Sequence, residues 1–338
     1  MIVTFIVGAI SLGMVFLYGC VGEIITEKAG HLNLGIPGVM CLGTAGGTLG
    51  ASMYMSMCAD KANPSYLLLL LFCIVFAAVF GAFGGLVYSF LTVSLRCNQN
   101  ITGLALTTFG AGLTQYMITS VDKTYLTVAA RTLSQGLPFA QNLGWFGQIF
   151  LSHSLLTYLA IGIAVATGIV LKRTRLGLEL RAVGENPATA DAAGINVTAY
   201  KYGAILTGSA IAGLGGLFYS MDYMKGSLEN VSTIQAFGWL SIALVIFTLW
   251  RPILSVAGSI VFGGLYILAA YITGISFAQM KLLTLIPYVV TVIVLIVTSI
   301  FNSKNAQAPA ALGQTYFRED RSRNNLRHAT ARKNAKAL

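Results

Sequence analysis

The residues best placed to do chemistry lie in one polar interruption between two apolar runs, Leu171 to Gly203. It carries Lys172, Arg173, Arg175, Glu179, Arg181, Glu185, Asp191 and Lys201, eight charges in 33 residues, whereas charged residues make up 9% of the whole chain. Charges of both signs at this density suit noncovalent chemistry, with ion pairs and hydrogen bonds offered to another protein in water. Within it, Glu185-Asn186-Pro187-Ala188-Thr189-Ala190-Asp191-Ala192-Ala193-Gly194 has the grammar of a short helix. Asn186 suits the N-cap, Pro187 the first turn and Gly194 the C-terminal stop. Small residues make the helix slim enough to enter a groove. The competing reading is a helix lying on its own bundle. For docking, Arg181, Glu185, Asn186, Pro187, Asp191 and Gly194 are the contact and shape residues.

Covalent chemistry has no comparable candidate. His31, His153 and His328 are far apart, and Cys20, Cys41, Cys58, Cys73 and Cys97 lie in or beside apolar runs. Neither set has metal-ligand spacing, and the cysteines read as small hydrophobes. No nucleophile–base pair or metal constellation stands out, so no catalytic residue is expected. No Gly-Lys dipeptide occurs, hence no phosphate-cradling loop of the usual kind. For a polar solute the candidates are Asn33, Thr44 and Thr48, then Asn100, Thr107, Thr108 and Gln115, then Gln235, Phe237 and Trp239. Hydroxyls and amides would serve a polar edge, and the rings an aromatic face. For each one singly, the competing reading is interhelical hydrogen bonding or packing.

These residues need a scaffold. The chain has 338 residues, 56% of them hydrophobic and 9% charged. A soluble domain carries about 25% charged residues, so this chain could not cover a water-facing surface. The class is all-α, a polytopic integral membrane helical bundle. Apolar runs fall at 2–22, 34–57, 65–93, 101–120, 153–171, 198–220, 236–250, 253–273 and 282–300, giving about nine spans, within a range of about eight to ten. The 236–250 run is short. The 34–57 run is rich in Gly, Thr and Ser, so that second helix is expected to be buried and open to a break. Gly43/Gly47, Gly46/Gly50, Gly81/Gly85 and Gly208/Ala212/Gly216 have four-residue spacing and read as packing faces. The first run lacks a basic leader and a cleavage site, so it reads as a retained helix. No ionisable residue sits at the centre of a run, which argues against ion-coupled transport. Glu23, near the end of the first run, is expected to face water or a partner.

Net charge is +10, and the tail 301–338 contributes +6 of it. Such a tail could bind nucleic acid, but anchoring a cytoplasmic face is the commoner use, and no nucleic-acid partner is expected. With an odd number of spans and the C-terminus inside, 16 of the 21 Lys and Arg residues fall inside. This favours a cytoplasmic C-terminus and an external N-terminus. Segment 121–152 becomes the longest outside loop and 172–197 the longest inside loop apart from the tail. The organisation expected is a membrane domain over 1–300 and a basic, partly disordered tail over 301–338.

Leu178-Glu179-Leu180-Arg181-Ala182-Val183-Gly184-Glu185 through Val197 resembles the cytoplasmic coupling segment of permease subunits of bacterial ATP-binding-cassette importers. The branch is the one for simple sugars, branched-chain amino acids and nucleosides. Glu27-Lys28-Ala29-Gly30-His31-Leu32-Asn33-Leu34-Gly35-Ile36-Pro37-Gly38-Val39-Met40 is similar to that branch's pattern before its second helix. Asn98 to Leu106, Leu285 to Thr291 and Pro309 to Glu319 narrow the likeness. They resemble the shorter of two paired permeases in nucleoside importers that use a basic-membrane-protein-type binding lipoprotein. Two departures stand out. Pro37 replaces a frequent Glu, and Gly238-Trp239 and Trp250-Arg251 stand where the family tends to have Gly-Phe and Gly-Arg.

The resemblance implies a permease subunit in a bacterial plasma membrane, with an ABC ATPase docked on loop 172–197. The partners implied are a second, homologous permease forming a heterodimer, an extracellular binding lipoprotein, the lipid bilayer and a nucleoside. ATP and magnesium would be held by the ATPase, and this chain would bind no cofactor. The same machinery could carry a simple sugar, a branched-chain amino acid or another small metabolite. A stand-alone secondary carrier is the reading from another class.

Overall fold

The computed structural model describes residues 1–136, 143–228, 230–272, 274, 276–301 and 308–317. Regular structure among the described residues is helical throughout. The long helices are α1 (Ile2–Lys28), α2 (Ile36–Met57), α3 (Tyr66–Ser89), α4 (Gln99–Ser120), α7 (Leu155–Arg173), α10 (Val197–Leu217), α11 (Ser232–Phe247), α12 (Pro252–Tyr271) and α14 (Ile286–Phe301). The short ones are α5 (Leu126–Leu133), α6 (Gly144–Phe150), α8 (Arg175–Glu185), α9 (Pro187–Ala192) and α13 (Phe277–Leu283). Wider π-helical turns extend α3 over Phe90–Ser94 and α10 over Phe218–Tyr223.

Each apolar run of the sequence falls on a helix, but they are not equally suited to lipid. Among the described residues, six segments are long and apolar enough to cross a membrane: Ile2–Lys28, Tyr66–Ser94, Leu155–Arg173, Val197–Tyr223, Pro252–Tyr271 and Phe277–Val294. Helix Ser232–Phe247 is apolar but shorter. The expected count of about nine is therefore not reached on these criteria. The shortfall is at α2 and α4, long helices diluted by Gly, Thr and amide residues, and at the short α11. On α3, Leu67, Leu71, Val75, Val79, Phe83, Leu86 and Phe90 form an exposed apolar stripe. A stripe that long is tolerable against lipid and costly against water.

Helix α2 is continuous, not broken. Its glycines are used for close approach rather than for a kink. A Cβ on Gly43 would lie 2.0 Å from the Gly213 carbonyl oxygen of α10, and one on Gly46 2.6 Å from the Phe76 carbonyl oxygen of α3. The two four-residue stripes thus face two different helices, holding α2 between α3 and α10. Helix α10 also packs on α1, which meets α12, α11 and α7. The five cysteines are free.

Candidate functional site

The interruption 172–197 folds as two helices at one end of the bundle. Thr174 ends α7 and caps α8, its hydroxyl accepting the Gly177 N–H at 3.1 Å. Asn186 stands between α8 and α9 in an extended conformation, and its Oδ1 accepts the Thr189 N–H at 3.0 Å. Pro187 opens α9. The far end is a Schellman motif: Ile195 N–H reaches the Ala190 carbonyl at 3.0 Å and Gly194 N–H the Asp191 carbonyl at 3.1 Å, with Gly194 at φ +84°. A six-residue helix has little stability of its own. This one is seated on a separate small core of Val183, Ala190 and Val197, with Ile195 and Tyr316 packed against it.

A strap from beyond the last helix binds this region. Ala310 N–H donates to Glu185 Oε2 at 3.2 Å, Ala311 N–H to the Gly184 carbonyl at 3.0 Å, and Gly313 N–H to the Gly30 carbonyl at 3.2 Å. Gln99 Nε2 donates to the Gln314 carbonyl at 3.3 Å, while its Oε1 accepts the Leu32 N–H at 2.9 Å. The Tyr316 hydroxyl donates to Asp191 Oδ2 at 2.9 Å, and the Arg96 guanidinium lies 4.8 Å from the centre of the Phe317 ring. Segment 308–317 therefore ties α8 and α9 to the α1–α2 turn and the start of α4. A boundary at residue 300 leaves this strap outside the membrane domain, although it packs on it. The remainder of the tail beyond Phe317 lies outside the described residues.

The six residues expected to dock a partner are thus brought together, in unequal settings. Asn186 and Gly194 shape α9 and are exposed; Arg181 is exposed, with its Nε on the Gly177 carbonyl at 3.3 Å. Pro187 and Asp191 are half-buried, and the Glu185 and Asp191 carboxylates hold the strap. Outward on α9 stand Thr189 and Ala192, with Ala193 beside them. On α8, Glu179 accepts from Tyr200 and pairs with Arg175 at 2.6 Å. The Tyr200 hydroxyl first and Arg175 second hold its carboxyl below the usual range. Sequence reading missed Gln99, Arg96, Ala310, Ala311 and Tyr316 as parts of one site. The available signal was Gly313-Gln314-Thr315-Tyr316-Phe317, an aromatic patch in an otherwise charged tail.

The solute candidates do not form one set. Asn33 is buried in the α1–α2 turn, where Oδ1 accepts the Gly35 N–H at 2.9 Å and its own N–H donates to Glu23 Oε1 at 2.9 Å. Thr107 locks the same turn through the Leu34 carbonyl at 2.8 Å. Asn100 is exposed in the first turn of α4, and Thr108 is exposed with its hydroxyl on the Leu104 carbonyl at 3.2 Å. Thr48 bonds the Thr44 and Ala45 carbonyls, both at 2.9 Å. Thr44 bonds the Met40 and Gly216 carbonyls, both at 3.1 Å. Thr44 and Gln115 do meet, with Tyr219 and Asn230, around a void of about 10 Å³. That is room for about one water, too little for a solute. Beside it, Phe237 is the hub of a ring cluster, with centroid distances of 5.4 Å to Phe16, 5.8 Å to Tyr219, 6.3 Å to Tyr223 and 5.2 Å to Tyr266. Gln235 and Trp239 are half-buried on α11. The three tyrosines were missed; two of them stand on the π-helical turn, a feature found at functional sites.

Glu23 does not face water. It is fully buried, because the α1–α2 turn folds over it and presents the Asn33 N–H. Glu27 is buried too, and its Oε2 accepts the Trp250 indole N–H. Both carboxylates lie in the last two turns of α1, not at its centre. Both departures from the family pattern are packing features. Trp250 has φ +54°, a region glycine favours, and its indole bond to Glu27 offsets that strain. Pro37 lies in the first turn of α2, where a Cβ on Gly238 of α11 would come within 2.4 Å of Pro37 Cα.

Residues 3–299 match the family described as branched-chain amino acid transport system, permease component. The chain is 31% identical over 311 residues to the nucleoside ABC transporter permease protein NupC of Lactococcus lactis subsp. cremoris, covering 89% of this chain and 93% of that one. It is 30% identical to TsgC13 of Haloferax volcanii, named provisionally a glucose ABC transporter permease, over 90% of this chain and 94% of that one. It is 26% identical to the guanosine ABC transporter permease protein NupQ of Bacillus subtilis, over 89% and 92%.

Proposed function

This chain belongs to the branched-chain amino acid transport system permease component family, and from that premise we propose that the solute it imports is a nucleoside. As a multi-pass permease subunit of an ABC transport system, it is not itself an enzyme. The nucleoside reading draws on the names carried by NupC and NupQ. It also draws on the Phe16, Tyr219, Tyr223, Phe237 and Tyr266 cluster, whose faces suit a base and whose hydroxyls suit a ribose. The second reading is a sugar, favoured by the comparable likeness to TsgC13.

An ABC ATPase docks on the outward face of α9, and ATP and magnesium belong to that subunit. The observation that carries this is the short helix itself, capped at both ends and seated on its own core while Thr189 and Ala192 stay exposed. Gly184 lets α8 touch the α1–α2 turn, since a Cβ there would lie 2.2 Å from the Lys28 carbonyl oxygen. A push on α9 is carried by α8 and the strap into α1, α2 and α4, as a rigid lever between two states. This face is cytoplasmic and the N-terminus external, in a bacterial plasma membrane. The permease partner is a homologous second chain, and an extracellular lipoprotein delivers the solute.

Uptake by proteoliposomes holding the full assembly tests this. Labelled guanosine should enter only with ATP on the α9 side. Uptake of glucose but not guanosine would move the solute to the second reading. Uptake by this chain alone, without ATP, would overturn the subunit reading.

A further inference from the structure

Beside the coupling helices is a polar cavity that the transport reading does not use. It measures about 400 Å³ and is walled by His31, Arg96, Asp191, Lys201, Tyr316 and the N-terminus of α10 at Val197 and Thr198. We propose that this cavity is a binding site for a small phosphate-bearing anion, free in the aqueous phase or presented as a lipid headgroup.

The first reason is Lys201. It is 4% exposed and lines the cavity, yet among the described residues it makes no ion pair or hydrogen bond. A buried ammonium without a partner is costly, and an anion removes that cost. The second is His31, 1% exposed, with neither ring nitrogen partnered. Its neutral ring offers one N–H donor and one acceptor. The third is the start of α10, a 21-residue helix whose positive dipole end lies at the cavity wall, where Asn196 caps the Ala199 N–H and Val197 and Thr198 line the space. Arg96 adds a guanidinium to the wall. Among the described lining residues one carboxylate opposes these, Asp191, and its Oδ2 accepts from Tyr316. The buried Lys201 ammonium beside a helix N-terminus favours an anion, while Asp191 is engaged by Tyr316, and charged N–H donors suit phosphate. The volume is within the roughly 300–1,000 Å³ of small-molecule sites, so a nucleoside monophosphate is within its size. An occupant would touch the strap and the end of α9 together, and so stiffen the lever. Only that consequence rests on the coupling reading.

The test is titration calorimetry of the purified full chain in nanodiscs of neutral lipid, with inorganic phosphate and then AMP. Saturable binding is expected, weakened at least tenfold by Lys201→Gln and by Arg96→Gln and restored by Lys201→Arg. Thermal midpoints identify which variants are folded, and either of the two Gln variants suffices. Discs of phosphatidylglycerol separate the sources. Loss of phosphate binding there assigns the site to a headgroup, and unchanged binding assigns it to a free anion. No saturable binding of either probe in neutral discs, or equal affinity in the wild type and a folded Gln variant, overturns the proposal. No ATPase or transported solute enters this assay, so its failure leaves the coupling reading standing, and a failure of ATPase docking leaves the binding result standing.

Discussion

The Tyr316 hydroxyl donates to Asp191 Oδ2 at 2.9 Å, joining residues 125 apart and closing the strap over α9. A hydrogen bond to a charged acceptor contributes about 1.5–3 kcal/mol. Tyr316→Phe keeps the ring against Val183, Ala190 and Val197 and deletes the hydroxyl's bond to Asp191. Solute moved per ATP hydrolysed should fall by about three- to tenfold, with hydrolysis retained. An unchanged ratio would reduce the strap to a tether.

Asn186 offers a cleaner test of docking. Asn186→Ala removes the α9 cap, at about 1 kcal/mol, and should lower co-purification of the ATPase while the thermal midpoint of the chain barely moves. Asn186→Asp retains an acceptor and should recover the ATPase. If both variants hold the ATPase as the wild type does, α9 is not the contact.

Gly43 and Gly162 should respond in opposite ways to the same change. A Cβ on Gly43 would sit 2.0 Å from a backbone oxygen of α10, whereas nothing lies within 4 Å of one on Gly162. Gly43→Ala forces two helices apart, an overpacking cost of at least about 1–3 kcal/mol, and should lower yield and thermal midpoint. Gly162→Ala gains helix propensity and should be neutral or slightly stabilising. Midpoints measured side by side decide it.

Acid should destabilise the end of the bundle that carries α8 and α9 through His31. Burial first, and the Lys201 charge second, push its imidazole down to about 3 from the ordinary 6.5. Above pH 6.5 neither folded nor unfolded chain holds the proton and nothing is lost. Between 6.5 and about 3 the unfolded chain takes up a proton that the folded chain refuses, so stability falls with pH. The limiting slope is about 1.4 kcal/mol per pH unit. The thermal midpoint should decline from pH 6.5 downward, and His31→Asn should flatten that decline. An identical slope in the variant would assign it to other groups.

Phe237 tests the solute path. Phe237→Leu keeps much of the volume and removes the ring that Phe16, Tyr219, Tyr223 and Tyr266 surround. The KM for guanosine uptake should rise severalfold, since stacking on a base contributes about 1–3 kcal/mol. A guanosine KM that does not move would place the path elsewhere.

The shape of α9 was legible in the chain because its signals are local. An N-cap, a Pro in the first turn and a Gly stop act within ten residues, and they were found where α9 starts and ends. The paired glycine stripes were legible too, as was each helix that carries an apolar run. The solute candidates were harder. Thr44, Thr48, Thr107 and Thr108 have the right chemistry, but each hydroxyl is already bonded to a backbone carbonyl. Spacing alone cannot tell a hydroxyl aimed at a path from one bonded to its own helix.

By itself the sequence determined a helical membrane bundle and the short capped helix, because composition, periodicity and capping are properties of neighbouring residues. The tertiary structure alone decided the rest: that Glu23 is sealed beneath the Asn33 turn, that residues 308–317 return to α8 and α9, and that Lys201 and His31 face one cavity. Each depends on backbone groups or side chains far apart in the chain finding one another. That choice is made by how closely α1, α2 and α10 can pack, and no local pattern carries it.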